Sequence, residues 1–284
     1  MSLRFRDIEK KPQRYPKVVR EDPTIDNPGF VEVDGYRLRP NLDLMPQRGM
    51  QENLCASECN LIFLGGSGTS GKTFGALLSS MKGLGYQNYT ARIVTMQSKD
   101  NEVGTSMKRD AEQVFGGFAN CSFTTSGGLT AEWSQWNNSI KFIHVNFNIS
   151  NPNEWDAYKQ HCKANTAIFF YWDEVTGVKE WKKFAYMFSR NRDSSGAMRP
   201  KTIVSFNPEY KHWTTKFLKR AGYLDSEWYL IPEMNGVITY FYSGEGDDVD
   251  DIVFGKTKAE VVRKVGLEVS EQEAAFGMTP EDLV

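Results

Sequence analysis

Cysteine is scarce in this 284-residue sequence, and its spacing is irregular. Cys55, Cys59, Cys121 and Cys162 are too few for a disulfide framework, and none of them has a second cysteine or a histidine at zinc-finger spacing. All four are therefore predicted to be reduced thiols. Cys55 and Cys59 are four residues apart, which predicts a shared helix face rather than a metal site.

Long apolar runs and a strong charge of either sign are also absent. No run of about 18 apolar residues occurs, and residues 1–22 are charged where a signal peptide needs an apolar stretch, so a cytoplasmic protein without a membrane partner is expected. The 34 Lys and Arg residues nearly balance the 36 Asp and Glu residues, for a net charge of −2. A nucleic-acid partner would therefore need a local basic face.

A glycine-rich loop at residues 66–73 is the most informative segment. Its letters, GSGTSGKT, match the phosphate-binding pattern GxxxxGK[ST] and follow an apolar run at residues 61–64. Backbone amides of such a loop point at phosphates, and the helix that follows adds the positive end of its dipole. Lys72 would bridge the β- and γ-phosphates, and the Thr73 hydroxyl would bind magnesium. The alternative is a tight turn before a helix. The predicted nucleotide-binding residues of the loop are Gly66, Ser67, Gly68, Thr69, Ser70, Gly71, Lys72 and Thr73.

Apolar strands and amphipathic helices alternate through the middle of the chain. This order predicts an α/β fold with a central, mainly parallel sheet flanked by helices. Asn137 and Asn138 separate two strand-like runs, which indicates a hairpin. The predicted strands are residues 61–64, 91–96, 141–145, 167–172 and 202–206. The predicted helices are residues 72–84, about 101–115, 178–190 and 256–265.

Composition changes near both ends of this core. Residues 1–45 are rich in proline and charge, with one strand-like piece at residues 29–36, and are predicted to form an N-terminal arm. Residues 46–210 are predicted to be the core, beginning with a short helix that carries Met50 and Leu54. Residues 211–284 contain many aromatic side chains and an acidic run, and are predicted to form a small accessory or lid region with a tail.

Two adjacent carboxylates follow the apolar residues 167–172. Asp173 at the carboxyl end of this strand would hold magnesium, directly or through water, and Glu174 would act as the general base that activates water. Taken alone, the pair also fits a capped junction between a strand and a helix. The phosphate-binding loop about a hundred residues upstream favours the catalytic interpretation.

Another apolar strand, residues 202–206, is followed by Asn207 and Pro208. Ligands of open parallel sheets bind outside the carboxyl ends of the strands, so Asn207 is predicted to hydrogen-bond the γ-phosphate or the attacking water. The alternative is that Asn-Pro is an ordinary turn pair.

The order of these motifs resembles the ATPase domain of the large terminase subunit, the DNA-packaging motor of tailed phages. The resemblance covers about residues 46–265, including a late segment at residues 251–261. The pieces that carry it are Pro46 and Gln51, residues 65–73, residues 169–174, Arg190 with Arg192, and residues 205–208.

The resemblance implies a P-loop NTPase fold of the ASCE type, with ATP and Mg²⁺ as cofactors. Gln51 would recognise the adenine edge, with Gln47 as the rival. Asn207 would couple loss of the γ-phosphate to motion of the accessory region. The chain would then be an ATPase that drives double-stranded DNA into a procapsid in the host cell cytoplasm. A portal protein, a small terminase subunit and a ring of identical subunits are the implied partners.

Two departures from the family pattern matter. Many members carry an arginine inside the loop, whereas residues 67–70 here are Ser, Gly, Thr and Ser, so an arginine finger from a neighbouring subunit is expected. Arg190 and Arg192 are the first candidates, ahead of Lys163 and Arg199; the alternative is that they are surface or ion-paired residues. The resemblance also implies a nuclease domain in the complete subunit, which this sequence does not contain, so no DNA cleavage is expected from it.

Three further expectations concern DNA and alternative functions. A helicase-like ATPase acting on nucleic acid, or less favourably a nucleoside or small-molecule kinase, would use the same loop. The adjacent carboxylates favour activation of water over phosphotransfer.

The basic clusters that would contact a DNA backbone, or else form solvated helix faces, are Lys179, Lys182 and Lys183; Arg190, Arg192, Arg199 and Lys201; and Lys211, Lys216, Lys219 and Arg220.

Overall fold

The structure is a computed structural model that describes part of the chain. The described residues are 18–21, 30–33, 36–37, 46, 49–66, 71–95, 105–116, 121–124, 129–148, 150–193, 198–244 and 248–266. They divide into two compact units. The larger unit lies within Gln13–Val175 and Phe188–Asn207, and the smaller one within Thr176–Met187 and the residues from Pro208 onward.

The first elements form a small antiparallel sheet. Strands β1 (Val18–Glu21), β2 (Phe30–Val33) and β3 (Tyr36–Arg37) pair in that order. The predicted strand-like piece at residues 29–36 corresponds to β2 and the start of β3. Strand β1 was not predicted, because its few residues lie among charged neighbours.

The next elements carry the glycine-rich loop. Helix α1 (Met50–Ala56) leads into strand β4 (Leu61–Gly65), and helix α2 (Lys72–Ser80) begins at the loop's end. Strand β5 (Thr90–Thr95) and helix α3 (Thr105–Phe115) follow. All four cysteines are free, as predicted, but α1 ends at Ala56, so the shared helix face predicted for Cys55 and Cys59 is wrong.

A hairpin and a helix lie between α3 and the carboxylates. Strands β6 (Ser122–Thr124), β7 (Thr130–Trp133) and β8 (Asn138–His144) are antiparallel neighbours, and Asn137 turns the chain at a φ of 54°. Asparagine adopts this left-handed conformation more readily than most residues. The antiparallel pairing of β7 with β8 confirms the predicted hairpin. Helix α4 (Pro152–Ala164), which the sequence analysis missed, precedes strand β9 (Phe169–Trp172).

The remaining elements are short. Helix α5 (Trp181–Phe188) and strand β10 (Lys201–Phe206) were both predicted. They are followed by helix α6 (Trp213–Arg220), strands β11 (Tyr240–Tyr242) and β12 (Val253–Gly255), and helix α7 (Lys258–Val265). No helix in the described ranges is both long and apolar enough to cross a membrane.

The central sheet has seven strands in the order β4-β10-β9-β5-β8-β7-β6. The first five are parallel, and β7 and β6 extend the sheet as antiparallel strands. All five predicted strands belong to it, so the prediction of a mixed α/β fold with a mainly parallel central sheet and flanking helices is confirmed at this level.

Burial on both faces of β9 explains why this strand is a continuous apolar run. All four residues of β9 are buried, and Phe169 and Tyr171 share a core cluster with Ala76 and Leu77 of α2. Parallel strands covered by helices on both sides need no alternation of polar and apolar residues. This packing holds the carboxyl end of β9 and the start of α2 in fixed positions.

The smaller unit has an aromatic core, to which α5 contributes although its residues lie within the predicted core of residues 46–210. Trp181 and Phe184 of α5 pack on Trp213 of α6, with ring centroids 5.2 and 4.8 Å apart respectively. Phe217 of the same helix packs edge-on against Phe241 of β11 and Phe254 of β12. His212 caps α6 by accepting a hydrogen bond from the Thr214 backbone N–H.

Candidate active site

Three parallel strands of the larger unit end at the same edge of the sheet. The register pairs Phe206 with Gly65 and Val204 with Trp172, so the residues that follow β4, β10 and β9 meet at this edge. Strand β10 lies between the strand of the glycine-rich loop and the strand of the carboxylates. Asn207, which follows β10, therefore lies between the glycine-rich loop and the two carboxylates.

The glycine-rich loop is described only at its ends. Gly66 has a φ of 137° and Gly71 a φ of 71°, values that residues with a Cβ adopt at a cost. Ser67, Gly68, Thr69 and Ser70 lie outside the described residues, so their predicted phosphate contacts remain predictions. Both ends of the loop thus have the backbone geometry for which glycine is required.

Lys72, the first residue of α2, is buried, with 6% of its surface exposed. Its ammonium donates hydrogen bonds to the Gly66 carbonyl and, at 3.5 Å, to Asn207 Oδ1. A buried ammonium requires such acceptors because it loses its hydration. Lys72 therefore lies where the loop and the end of β10 meet.

The Asp173 carboxylate belongs to a hydrogen-bond network with side chains of β9, β10 and α2. Its Oδ1 accepts from the Tyr171 hydroxyl at 2.6 Å and from the Ser205 hydroxyl at 3.2 Å. The Tyr171 oxygen is also 3.4 Å from Thr73 Oγ1 and 3.1 Å from Ser205 Oγ. The two predicted magnesium ligands, Thr73 and Asp173, are thus joined through one tyrosine.

Burial dominates the electrostatics of this network. Desolvation raises the pKa of the Asp173 carboxyl above its ordinary value, while the hydrogen bonds from Tyr171 and Ser205 and the charge of Lys72 act in the opposite direction. Desolvation, followed by the nearby charge of Asp173, raises the pKa of Tyr171 well above its ordinary value. The tyrosine therefore keeps its proton at all physiological pH values and remains a donor.

Glu174 and Asn207 face each other. The Asn207 amide nitrogen lies 3.2 and 3.1 Å from the two carboxylate oxygens of Glu174. Glu174 has a left-handed φ of 51°, and its backbone N–H donates to Ser205 Oγ at 3.2 Å. Residues other than glycine adopt this conformation at a cost, and the described residues that share it, Asn88, Asn137, Lys211 and Trp228, lie outside this network. The structure thus connects the predicted base, through Asn207, to Lys72.

Gln51 of α1 contacts the end of the loop. It is buried, and its Nε2 donates to the Gly71 carbonyl at 3.1 Å. Gln47, its rival for the predicted adenine contact, lies outside the described residues. The side chain of Gln51 therefore supports the loop backbone at the point where α2 begins.

Arg190 and Arg192 lie far from this edge within their own chain. Ala167, ahead of β9, donates its N–H to the Arg190 carbonyl and accepts from the Arg192 N–H. Asp173 is six residues further along, about 20 Å at the usual rise of a strand. Lys163 at the end of α4 and Arg199 ahead of β10 belong to the same amino-terminal side. The geometry places the backbone of all four candidate fingers toward the edge of the sheet opposite the candidate site.

Two members of the basic clusters are not exposed. Lys183 and Lys201 are each only 5% exposed, so their assignment to a DNA-contacting face is wrong. Lys201 Nζ instead donates to the Leu54 and Ser57 carbonyls, both at 2.9 Å. In the smaller unit, Lys179 pairs with Glu209 at 3.2 Å.

The oxygen ligands at the site fit a magnesium ion. No cluster of three or more His, Cys, Asp or Glu side chains that could hold a metal occurs in the described part of the chain. Mg²⁺ at nucleotide sites needs no such cluster, because it binds through one or two protein oxygens, phosphates and water. The Thr73 hydroxyl and the Asp173 carboxylate supply that kind of ligand.

Tyr171 and Ser205 were not predicted to belong to the site. Tyr171 is two residues before Asp173 and so shares its face of the strand, a signal that the period of a β-strand contains. Ser205 precedes Asn207 by two residues in the next strand. Their meeting depends on the pairing of β9 with β10.

Comparison with known proteins was negative at the level of sequence. No model of a protein family matches the chain, and no curated protein matches it.

Proposed function

We propose that this chain is a P-loop NTPase of the ASCE type that hydrolyses ATP. The observation that carries the proposal is the hydrogen-bond network at the carboxyl edge of the sheet, where Lys72, Asn207 and Glu174 form one chain of contacts and Thr73 and Asp173 meet on Tyr171. These residues come from three separate segments of the sequence. Each was predicted to serve a triphosphate, and each lies at the edge where parallel sheets bind ligands.

In the proposed site, each residue has a distinct task. The loop and the Lys72 ammonium bind the β- and γ-phosphates, and the γ-phosphate would replace the Gly66 carbonyl as a partner of Lys72. Thr73 and Asp173 would hold magnesium, which when bound neutralises charge that develops on the phosphates. Glu174 would accept a proton from the attacking water. Asn207 would exchange its contact with Glu174 for one with the γ-phosphate or that water.

The proposed biological role is that of a viral DNA-packaging motor. The order of the motifs, which resembles that of large terminase subunits, supports this role. We infer a ring of identical subunits that translocates double-stranded DNA into a procapsid, together with a portal protein and a small terminase subunit. The position of Arg190 and Arg192, opposite the site of their own chain, supports a finger that acts on a neighbouring subunit.

Two substitutions test the ATPase. Lys72→Ala should abolish nucleotide binding, because it removes the buried cation of the site. Glu174→Gln should keep nucleotide binding but lower kcat by about 100-fold or more, the usual contribution of a general base. Binding is measured with a fluorescent ATP analogue and hydrolysis by phosphate release.

Glu112→Gln, on the exposed face of α3, is the matched control and should keep full activity. Normal turnover by Glu174→Gln would refute the assignment of the base. Stimulation of hydrolysis by double-stranded DNA without strand separation is the result expected of a packaging motor. Unwinding would identify a helicase instead, and transfer of phosphate to a nucleoside would identify a kinase.

A further inference from the structure

One buried hydroxyl connects three elements at the proposed magnesium site. Tyr171 of β9 is fully buried, and its oxygen contacts the side chains of Asp173, Ser205 and Thr73. These partners follow β9, belong to β10 and belong to α2, respectively. A tyrosine that is buried only for packing needs a single hydrogen-bond acceptor.

Tyr89 shows that simpler case in the same unit. It is as buried as Tyr171, and its hydroxyl donates to the Ser80 backbone carbonyl at 2.6 Å. The Tyr89 hydroxyl thus contacts the backbone of α2 and no side chain of the proposed site. The two tyrosines therefore offer a matched pair, alike in burial and different in what their hydroxyls contact.

The single proton of the Tyr171 hydroxyl determines which groups of the network donate hydrogen bonds and which accept them. The distance of 2.6 Å to Asp173 Oδ1 is typical of a hydroxyl that donates to a carboxylate. The proton therefore goes to Asp173, and the lone pairs of the tyrosine oxygen accept. The Thr73 and Tyr171 side-chain oxygens are 3.4 Å apart, and because the single Tyr171 proton goes to Asp173, this contact becomes a hydrogen bond when Thr73 donates.

With the hydrogen bonds oriented in this way, one oxygen of Thr73 and one oxygen of Asp173 remain for a cation. When the Thr73 proton points at Tyr171, the lone pairs of Thr73 Oγ1 point away from Tyr171. The described hydrogen bonds to the Asp173 carboxylate, from Tyr171 and Ser205, both end on Oδ1, which leaves Oδ2 as the oxygen for the cation. One tyrosine thereby orients both ligands.

We propose that Tyr171 is a positioning residue that orients the Thr73 hydroxyl and the Asp173 carboxylate toward a divalent cation bound with nucleotide. The inference rests on the proposed function, since it names what holds the ligands of that site. Outer partners that orient metal ligands commonly contribute 10-fold to 100-fold in metal affinity. Tyr171 acts through Thr73 and Asp173 and itself touches neither phosphate nor cation.

Tyr171→Phe tests the inference through binding, without reference to turnover. The affinity for a fluorescent ATP analogue is measured in EDTA and across a Mg²⁺ titration. In Tyr171→Phe, affinity in EDTA should equal that of the wild type, and the Mg²⁺ concentration for half-maximal enhancement should rise about 10-fold or more. Tyr89→Phe, which also loses a buried hydroxyl, should keep the wild-type Mg²⁺ titration.

A double variant keeps the test decisive if Tyr171→Phe folds poorly because the buried Asp173 carboxylate has lost a donor. Asp173→Asn removes that charge, and adding Tyr171→Phe to it should then shift the Mg²⁺ titration by much less than Tyr171→Phe shifts the wild type. Equal shifts in both backgrounds would show that Tyr171 does not act through Asp173.

The outcomes separate the two claims. A wild-type protein that does not bind the ATP analogue, or binds it without any effect of Mg²⁺, overturns the proposed function and this inference with it. A wild-type protein that responds to Mg²⁺, with an identical titration in Tyr171→Phe, overturns the positioning role alone. A shift in Tyr171→Phe that Tyr89→Phe reproduces equally also overturns it.

Discussion

Two buried lysines of the larger unit have different partners: one contacts residues of the proposed site, and the other contacts backbone that supports the fold. Lys72 contacts a loop carbonyl and the side chain of Asn207, both at the proposed site. Lys201 contacts the backbone carbonyls of Leu54 and Ser57, where α1 ends and the chain turns toward β4. The last carbonyls of a helix lack partners within it, and the N–H groups of Lys201 supply them in either protonation state of the amine. Lys201 therefore holds the helix that carries Gln51.

The pH dependence of stability should report on Lys201. Burial, with the charge of Lys82 as a smaller cause, lowers its pKa to about 7, against an ordinary value of 10.5. The folded-state pKa is depressed, so between pH 7 and 10.5 the unfolded chain binds more protons. The free energy of unfolding should therefore rise with pH in this window and fall again as pH drops toward 7.

The measurement is urea denaturation at pH 7.5 and 8.5. In the wild type, Lys201 should add up to about 1.4 kcal/mol per pH unit to the slope, and Lys201→Met should lack this contribution. Comparing the two proteins cancels most of the contributions of other groups. Identical slopes would show that the Lys201 amine keeps an ordinary pKa.

The junction of α1, the loop and α2 depends on one glycine. Gly71 has a φ of 71°, and a Cβ added there would lie 2.7 Å from Gln51 Nε2. The same Gln51 nitrogen donates to the Gly71 carbonyl. A side chain at this position would therefore both strain the start of α2 and displace the glutamine that supports the loop.

Gly71→Ala should lower nucleotide affinity by at least about 10-fold, because a small displacement of binding groups is costly. Gly266→Ala is the matched control. Gly266 ends α7 with a φ of 61°, and a Cβ there would meet nothing within 4 Å. That variant should lose about 1 kcal/mol of stability from the left-handed conformation and keep nucleotide affinity. Equal nucleotide affinity in both variants would contradict the role of the junction.

Elements with strong local signals were predictable, and those with weak signals were not. The core strands are runs of apolar residues, whose burial on both faces requires just that composition. Helix α4 was missed because only Tyr158 and Cys162 in it are buried, which leaves little helical periodicity. Helix α6 was missed because its capping residue is His212, whereas the usual signal is Ser, Thr, Asp or Asn.

Among the described residues, Lys72 is the cation whose contacts lie at the proposed site. Arg192 is exposed at the opposite edge, whereas the Arg190 guanidinium donates to the Ser189 hydroxyl. In a ring, a head-to-tail interface brings opposite faces of neighbouring subunits together. The exposed arginine is therefore the stronger candidate for a finger that acts in trans.

Mixing two inactive variants tests that assembly. Arg192→Ala should lower ATP turnover by about 1000-fold, as removal of an arginine finger does. Lys72→Ala should be inactive for lack of nucleotide binding. An equimolar mixture should recover about a quarter of the wild-type rate, because random ring assembly pairs an intact site with an intact finger at that frequency.

Arg109→Ala, at an exposed position of α3, is the control and should be fully active alone. Absence of recovery in the mixture, with both variants folded, would exclude Arg192 as a finger in trans. Recovery with Arg190→Ala in place of Arg192→Ala would transfer the role to Arg190.

Local sequence was sufficient to predict the type and place of each segment: a glycine-rich loop before a helix, carboxylates after one buried strand and an asparagine after another. These features follow from backbone sterics and from apolar runs a few residues long. The order of strands was not accessible, since pairing between β9 and β10 joins residues about thirty positions apart and leaves no periodic signal. That pairing places Ser205 beside Asp173, brings Asn207 between Lys72 and Glu174, and buries Lys201. Non-local packing therefore turned separate motifs into one network.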